Sequence, residues 1–215
     1  SFDEGSVPLG VPASVVNAAY DCDNHVRDWP DAGRFDRFFG AHSWANNSGK
    51  ENFYWLPCSY DPEESYDLGL ERRVDVGMVG CIYEHRMEAI KTLLVKNVTV
   101  LGGWGFVGEE WNRLYNLCRC ALVLSHSHDL SDRLLANMAQ GCVVLADRGI
   151  KDAEKLGLKD NVHYMTYSSW WELVEGAQRA RVEEWRRYVV ANAKEFVKPF
   201  TWENRCRTML AEVGL

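Results

Sequence analysis

At 215 residues and 47% hydrophobic, the chain is long enough to enclose one large domain core with a small appendage, and it holds no run of about 18 apolar residues to cross a membrane. A net charge of −7 speaks against a general nucleic-acid or anionic-membrane binder, whose basic field would show in the composition. Seven cysteines, an odd number with no Cys-x-x-Cys pair, argue against a disulfide framework and a structural zinc site and fit a reducing, cytoplasmic setting.

In chain order, the opening SFDEGSVPLG has neither the basic nor the apolar segment of a secretory signal. Residues 1–70 read as irregular and rich in Asp, Asn, Pro, Gly and aromatics, with strand-like pieces at 14–21 and 53–57. From about residue 74 the pattern becomes regular. Apolar, β-branched runs at 74–81, 97–103, 121–127, 142–147 and 162–167 are nearly continuous, as in strands covered on both faces of a parallel sheet. Helical stretches alternate with them. Met87, Ile90 and Leu94 form one apolar stripe, and Val107, Trp111, Leu114 and Cys118 another. A short helix around Leu134, Leu135 and Met138 stops at Gly141. Ser169 and Glu172 have capping-box spacing and open a helix running toward about 195, in which the arginine-rich run 179–187 reads as a solvated face. Pro199 ends that region, and Thr201 caps a last helix through Met209 and Leu210.

Repeated strand–helix–strand units call for an α/β fold, a Rossmann-like parallel sheet flanked by helices, behind a small, reduced N-terminal part. The boundaries expected are 1–70, 71–198 for the Rossmann-like domain, and 199–215 for a C-terminal helix. Ligands of such sheets bind outside the carboxyl ends of the strands. Three polar clusters fall there. In Gly80–Arg86, a glycine lets backbone approach a ligand, a helix start offers N–H groups to phosphate, and Arg86 can add a bidentate contact; a tight turn with a surface arginine is the plain alternative. The loop Ser125–Arg133 gathers His126, His128, Asp129, Asp132 and Arg133. It reads as a metal site through His126, His128 and Asp129, as a site for hydroxyls and phosphate through His126, Asp129 and Arg133, or as a capped helix. Asp21-Cys-Asp23-Asn-His25 could hold a cation bridging a diphosphate, or set Asp23 beside His25 as a general-base pair.

Taken together, these pieces resemble the CgeB-like (spore-protein) glycosyltransferase family, of two-domain GT-B architecture. The likeness rests on Tyr20–His25, Arg34-Phe-Asp-Arg-Phe-Phe39, Trp55-Leu-Pro57 with Asp61-Pro-Glu63, Val74–Gly80 with Arg86, Asp129–Arg133 with Gly141, and Phe200-Thr-Trp-Glu-Asn-Arg205. It covers nearly the whole chain from about residue 15. The resemblance implies a nucleoside-diphosphate-sugar donor and no obligatory metal or other cofactor. It sets the diphosphate against a helix start and Arg86 or Arg133, with Gly80, His126 and Asp129 also donor-facing. It places the base near Trp104, and Asp23 and His25 toward the transfer site from the other lobe. The acceptor stays open: a small molecule, a glycan, a protein or a modified DNA base, the last disfavoured by the acidic composition. Two departures stand out. Most of the family's acceptor-binding domain is absent, which a reduced enzyme, a second chain or oligomer completing the site, or a non-catalytic remnant would explain. The family's glutamate after Arg133 falls on Ala136, and Asp132, one turn earlier on the same helix face, is the substitute for holding sugar or ribose hydroxyls. The alternatives are an inactive nucleotide-sugar-binding or scaffold module and a metal-dependent hydrolase.

Overall fold

The computed structural model describes residues 18–21, 34–44, 48–125 and 128–215. Two parallel sheets carry the chain. The first is formed by β1 (Ala18–Asp21), β2 (Arg37–Gly40) and β3 (Phe53–Trp55), paired in that order. The strand-like pieces at 14–21 and 53–57 hold β1 and β3, and with β2, which buries Phe38 and Phe39 completely or nearly so, they join a part that otherwise reads as irregular into a sheet.

The second sheet has the order β5-β4-β6-β7-β8, all parallel. Its strands are β4 (Val74–Val79), β5 (Val100–Gly103), β6 (Cys118–Val123), β7 (Val143–Asp147) and β8 (Met165–Tyr167). The connecting helices are α1 (Glu84–Val95), α2 (Gly108–Asn116), α3 (Asp132–Ala139), α4 (Ala153–Leu156), α5 (Trp170–Arg179) and α6 (Glu183–Val197), followed by α7 (Trp202–Glu212). This is the α/β arrangement that the apolar runs predict. Val76, Cys120, Leu122, Val143 and Leu145 pack with Ala89 and Leu93 of α1 and Leu173 and Ala177 of α5 on one face. On the other, Val144 and Ala146 meet Leu134, Leu135 and Met138 of α3, with Ala193 and Val197 of α6 behind.

Four details depart from the sequence reading. Cys118 begins β6 rather than ending a helix, because α2 stops at Asn116 and Arg73 and Val74 donate to the Leu117 carbonyl. The long helix expected from Ser169 divides into α5 and α6 at 180–182. There Arg181 leaves the helical path to chelate Asp75 at 2.9 and 2.8 Å and to donate to the Asn97 carbonyl at 2.7 Å. Arg181 thus closes over the buried Asp75 carboxylate in an ion pair, although 43% of its own side chain stays exposed, and it is not part of a purely solvated face. Finally, α1 turns Arg86, Ala89 and Leu93 inward. Its Met87–Ile90–Leu94 stripe instead lines an open groove of about 210 Å³ beside Gly102 and Gly103 on the edge strand β5, leaving Met87 and Leu94 exposed.

The chain returns to the N-terminal sheet at its end. Tyr60 and Phe200–Trp202 exchange backbone hydrogen bonds of 3.1 and 3.2 Å, Trp202 meets the Tyr20 ring edge-on at 5.7 Å, and Arg205 donates to Ser59 at 2.9 Å. Thr201 caps α7 by accepting from the Asn204 N–H, as its position predicts.

Candidate functional site at the sheet switch point

From β4 the chain steps outward to β5, then crosses back to β6 and proceeds through β7 and β8 the other way. The order therefore reverses between β4 and β6, and their carboxyl ends flank the crevice where open α/β sheets bind ligands. The lips are the loop 80–83 and the loop from Leu124 to Ser131. Among the described residues, the side chains that meet here are two arginines.

Arg86, from the first turn of α1, is 6% exposed. It donates to the Cys81 carbonyl on one lip and the Leu124 carbonyl on the other, each at 2.7 Å, and so ties the crevice together. Arg133, from the first turn of α3, donates to the Val79 carbonyl at 3.2 Å. Both converge on Gly80: a Cβ there would sit 2.8 Å from Nη1 of Arg133 and 3.1 Å from Nη1 of Arg86. Gly80 also has φ +137°, so the backbone conformation and the crowding both require glycine. Among the described residues no carboxylate forms an ion pair with either arginine. Burial, and then the adjacent charge of Arg133, push the Arg86 pKa below its ordinary value. Two guanidinium groups held together without a counter-charge make a site for an anion, and each keeps N–H donors beyond those spent on carbonyls.

The start of α3 adds to this. Its N-cap residue Ser131 makes no capping hydrogen bond, and its buried hydroxyl has no partner. Within that turn the Arg133 N–H donates to the Asp132 carboxylate and the Leu134 N–H to the Ser131 carbonyl at 3.1 Å, so the Asp132 N–H is the donor that the helix start offers to the crevice. Asp132 is exposed, and its carboxylate accepts from the Arg133 N–H at 2.7 Å. Asp129 turns back into its own loop, accepting from the Ser125 hydroxyl while its N–H donates to the same oxygen at 2.9 Å. This bracing shapes the loop. Ala136 is 6% exposed and belongs to the apolar cluster with Leu130, Leu134 and Val123. Trp104, after the glycines that end β5, is 78% exposed. Gly102 is tied to its place, since a Cβ there would lie 1.8 Å from the Met78 carbonyl oxygen.

The sequence reading did not single out a pair that β6 and β7 bring together: the His128 Nδ1 lies 2.6 Å from the Asp147 carboxylate. Asp147 closes the apolar run of β7 and His128 lies in the loop after β6, so only the strand order joins them. Asp23, His25 and His126 lie outside the described residues. Among those described, no three His, Cys, Asp or Glu side chains gather as a metal site, and no helix is long and apolar enough to cross a membrane.

A cavity of about 590 Å³ lies to one side of the crevice, lined by the loop Arg148–Lys155 with Tyr164 and Thr166. The same loop meets the N-terminal sheet: Asp152 accepts from the Ser43 N–H at 2.8 Å and from its hydroxyl, and the Lys151 and Lys155 ammonium groups lie 3.6 and 4.2 Å from the Trp44 and Trp55 ring centres.

Residues 82–211, more than half of the chain, match the sequence model of a family described as glycosyl transferase-like. The chain belongs to that family. No curated protein matches it in sequence. Among solved structures, this glycosyl transferase-like chain is similar to sucrose-phosphate synthase from Thermosynechococcus elongatus, with TM-score 0.60 and 15% identity over 83% of this chain and 58% of that one. It is also similar to Anabaena HepE in complex with UDP and glucose, with TM-score 0.65 and 13% identity over 85% and 64% of the two chains. The pneumococcal O-GlcNAc transferase GtfA, in complex with UDP and GlcNAc, gives TM-score 0.63 and 10% identity over 85% and 46%. At these identities the likeness is one of fold, that of the Rossmann-like half of GT-B enzymes. The chain spans 46–64% of the length of these three.

Proposed function

We propose that this glycosyl transferase-like protein binds a nucleoside-diphosphate sugar in the β4/β6 crevice and transfers its sugar to a hydroxyl-bearing acceptor, as a CgeB-like member of the GT-B group. The observation that carries the reading is the convergence of Arg86 and Arg133 on Gly80 without a carboxylate partner. A diphosphate supplies the missing charge, and the Asp132 N–H at the start of α3 supplies a further donor.

The chemistry follows from the charge. As the bond between the sugar's anomeric carbon and the diphosphate oxygen breaks, negative charge grows on the leaving nucleoside diphosphate. Donors already fixed at that position favour the transition state over the ground state. Gly80 allows the diphosphate to approach the backbone, Arg86 and Arg133 hold it, and Asp132 holds a hydroxyl of the sugar or ribose. Trp104 gives the base a face to stack on, His126 and Asp129 complete the donor side, and Asp23 and His25 face the transfer site from the other lobe. The HepE and GtfA structures, each solved with UDP, support a nucleotide partner.

Donor hydrolysis tests this. Incubated with a panel of nucleotide sugars, the protein releases nucleoside diphosphate slowly from at least one, and Arg133→Ala stops the release. The inward-facing Ala136 favours a second reading, a module that binds the donor without turnover. Tight binding with no release from any donor would establish that reading instead.

A further inference from the structure

The His128–Asp147 contact joins three observations. Asp147 is largely enclosed, its side chain 15% exposed, and it also accepts from the Ser125 N–H at 3.4 Å, so it is a fixed anchor. His128 keeps more than half of its side chain exposed, which leaves Nε2 open once Nδ1 is committed to Asp147. Its backbone lies at φ +55°, in the left-handed region, and its carbonyl accepts from the Lys151 N–H at 2.8 Å. A non-glycine residue held in that conformation between two anchors is a placed side chain. The loop that places it begins at Leu124, whose carbonyl Arg86 holds, and ends at α3, which carries Arg133.

We propose that His128, oriented by Asp147, is a proton-linked third cation of the donor site: it takes up a proton when a nucleotide sugar binds and offers its Nε2–H to the diphosphate. This rests on the reading of the crevice as a diphosphate site. The charged and titratable groups on the loop and the elements that frame it are Asp147 on β7, which the imidazole meets, Asp129 in its own loop, Lys151 after β7, Arg86 on α1, Arg133 on α3 and Tyr167 on β8. Asp129 is occupied by Ser125, and the Lys151 ammonium lies over Trp44. The buried Tyr167 hydroxyl stays protonated, burial and then Asp147 raising its pKa. An arriving diphosphate brings negative charge to the crevice, and negative charge beside an imidazole favours its protonated form. Binding and protonation are then coupled, and each strengthens the other. Asp147 is a positioning residue here; His128 is the group that touches the donor.

Isothermal titration with UDP-glucose, ADP-glucose, GDP-mannose and CDP-glucose between about pH 5.5 and 8 spans the imidazole range. The diphosphate diester of these probes does not titrate there, so any slope belongs to the protein. For the native protein, the affinity for the bound probe weakens about tenfold across the range, with uptake of up to about one proton seen as a buffer-dependent heat. His128→Gln binds with a flat profile near the native high-pH affinity, and Asp147→Asn takes up fewer protons. Arg133→Ala weakens binding at every pH. A native slope that persists in His128→Gln, or a native protein that binds without any slope, overturns the inference alone. If none of the four probes binds the native protein, the diphosphate reading falls and this inference with it.

Discussion

Replacing Gly80 with alanine separates the role of the crevice from that of the fold. The new methyl would lie 2.8 Å from Nη1 of Arg133 and 3.1 Å from Nη1 of Arg86, at a backbone φ of +137°. The backbone part of the cost is about 1–3 kcal/mol, as for other residues forced into sparsely populated conformations. For a domain of this size, that lowers Tm by about 2–12 °C. The effect on the ligand is separate. The Arg133 guanidinium must move aside and that of Arg86 must give by a few tenths of an ångström, and a hydrogen bond to a charged group is worth about 1.5–3 kcal/mol. Loss of one such contact weakens nucleotide-sugar affinity by about 10–150-fold. Thermal denaturation and titration on the same sample read the two effects apart. Gly102→Ala serves as the contrast, because its methyl would meet a backbone oxygen at 1.8 Å and must displace the edge strand β5. It should cost more stability than Gly80→Ala and less affinity per degree of Tm lost. If Gly80→Ala loses stability yet binds every nucleotide sugar as the native protein does, the arginine pair is not the diphosphate site.

Further outcomes follow from the core. Asp75 is buried at the base of β4, where burial opposes its charge, but bonds from Arg181 and Thr99 prevail and hold its pKa at about 2. A carboxyl depressed from the ordinary 3.8 stabilises the fold fully above about pH 4, and this contribution, about 2 kcal/mol, is lost as pH falls toward 2; urea titrations along a pH series should show it and Asp75→Asn should not. Asp75→Ala leaves Arg181 and the Thr99 N–H without their acceptor and should cost about 1–3 kcal/mol in the same titrations. Burial raises the thiol pKa of Cys118 and Cys120 strongly and that of Cys142 to about 11, so among the described cysteines Cys81 and Cys206 should react quickly with a thiol reagent at neutral pH. Cys142 is enclosed between Arg72, which donates to its sulfur at 3.4 Å, and the Tyr115 carbonyl, which accepts from its thiol at 3.2 Å, so rapid modification in the native protein would show that this packing opens.

The large sheet was legible because strands buried on both faces leave long β-branched runs, and the loops at their carboxyl ends were marked as the place for a ligand. Arg86 and Arg133 were singled out on those grounds. Their convergence on Gly80 depends on β4 lying beside β6, which residue spacing does not state. The pairing of His128 with Asp147 is hidden for the same reason: the two are 19 residues apart and meet through β6–β7 adjacency. Local signals failed where distant partners decide. A capping box and continuing periodicity promised one helix from Ser169, but Asp75, 106 residues away, draws Arg181 out of it. The Met87–Ile90–Leu94 stripe shows which side of α1 is apolar, not what covers it, and β5 is an edge strand with no neighbour to do so among the described residues. Strand-like pieces at 14–21 and 53–57 were legible in the N-terminal part, but strands of three or four residues do not state that they pair through β2 into one parallel sheet.

The most direct test is a thermal-shift titration of the native protein and Arg133→Ala against the nucleoside diphosphates and their sugars. A ligand at about 100 times its dissociation constant adds about 2.7 kcal/mol, so at least one should raise the native Tm by about 5–10 °C, and Arg133→Ala should lose most of that rise. No shift with any of them, or an equal shift in the variant, would contradict a diphosphate held by the two arginines at the sheet's switch point.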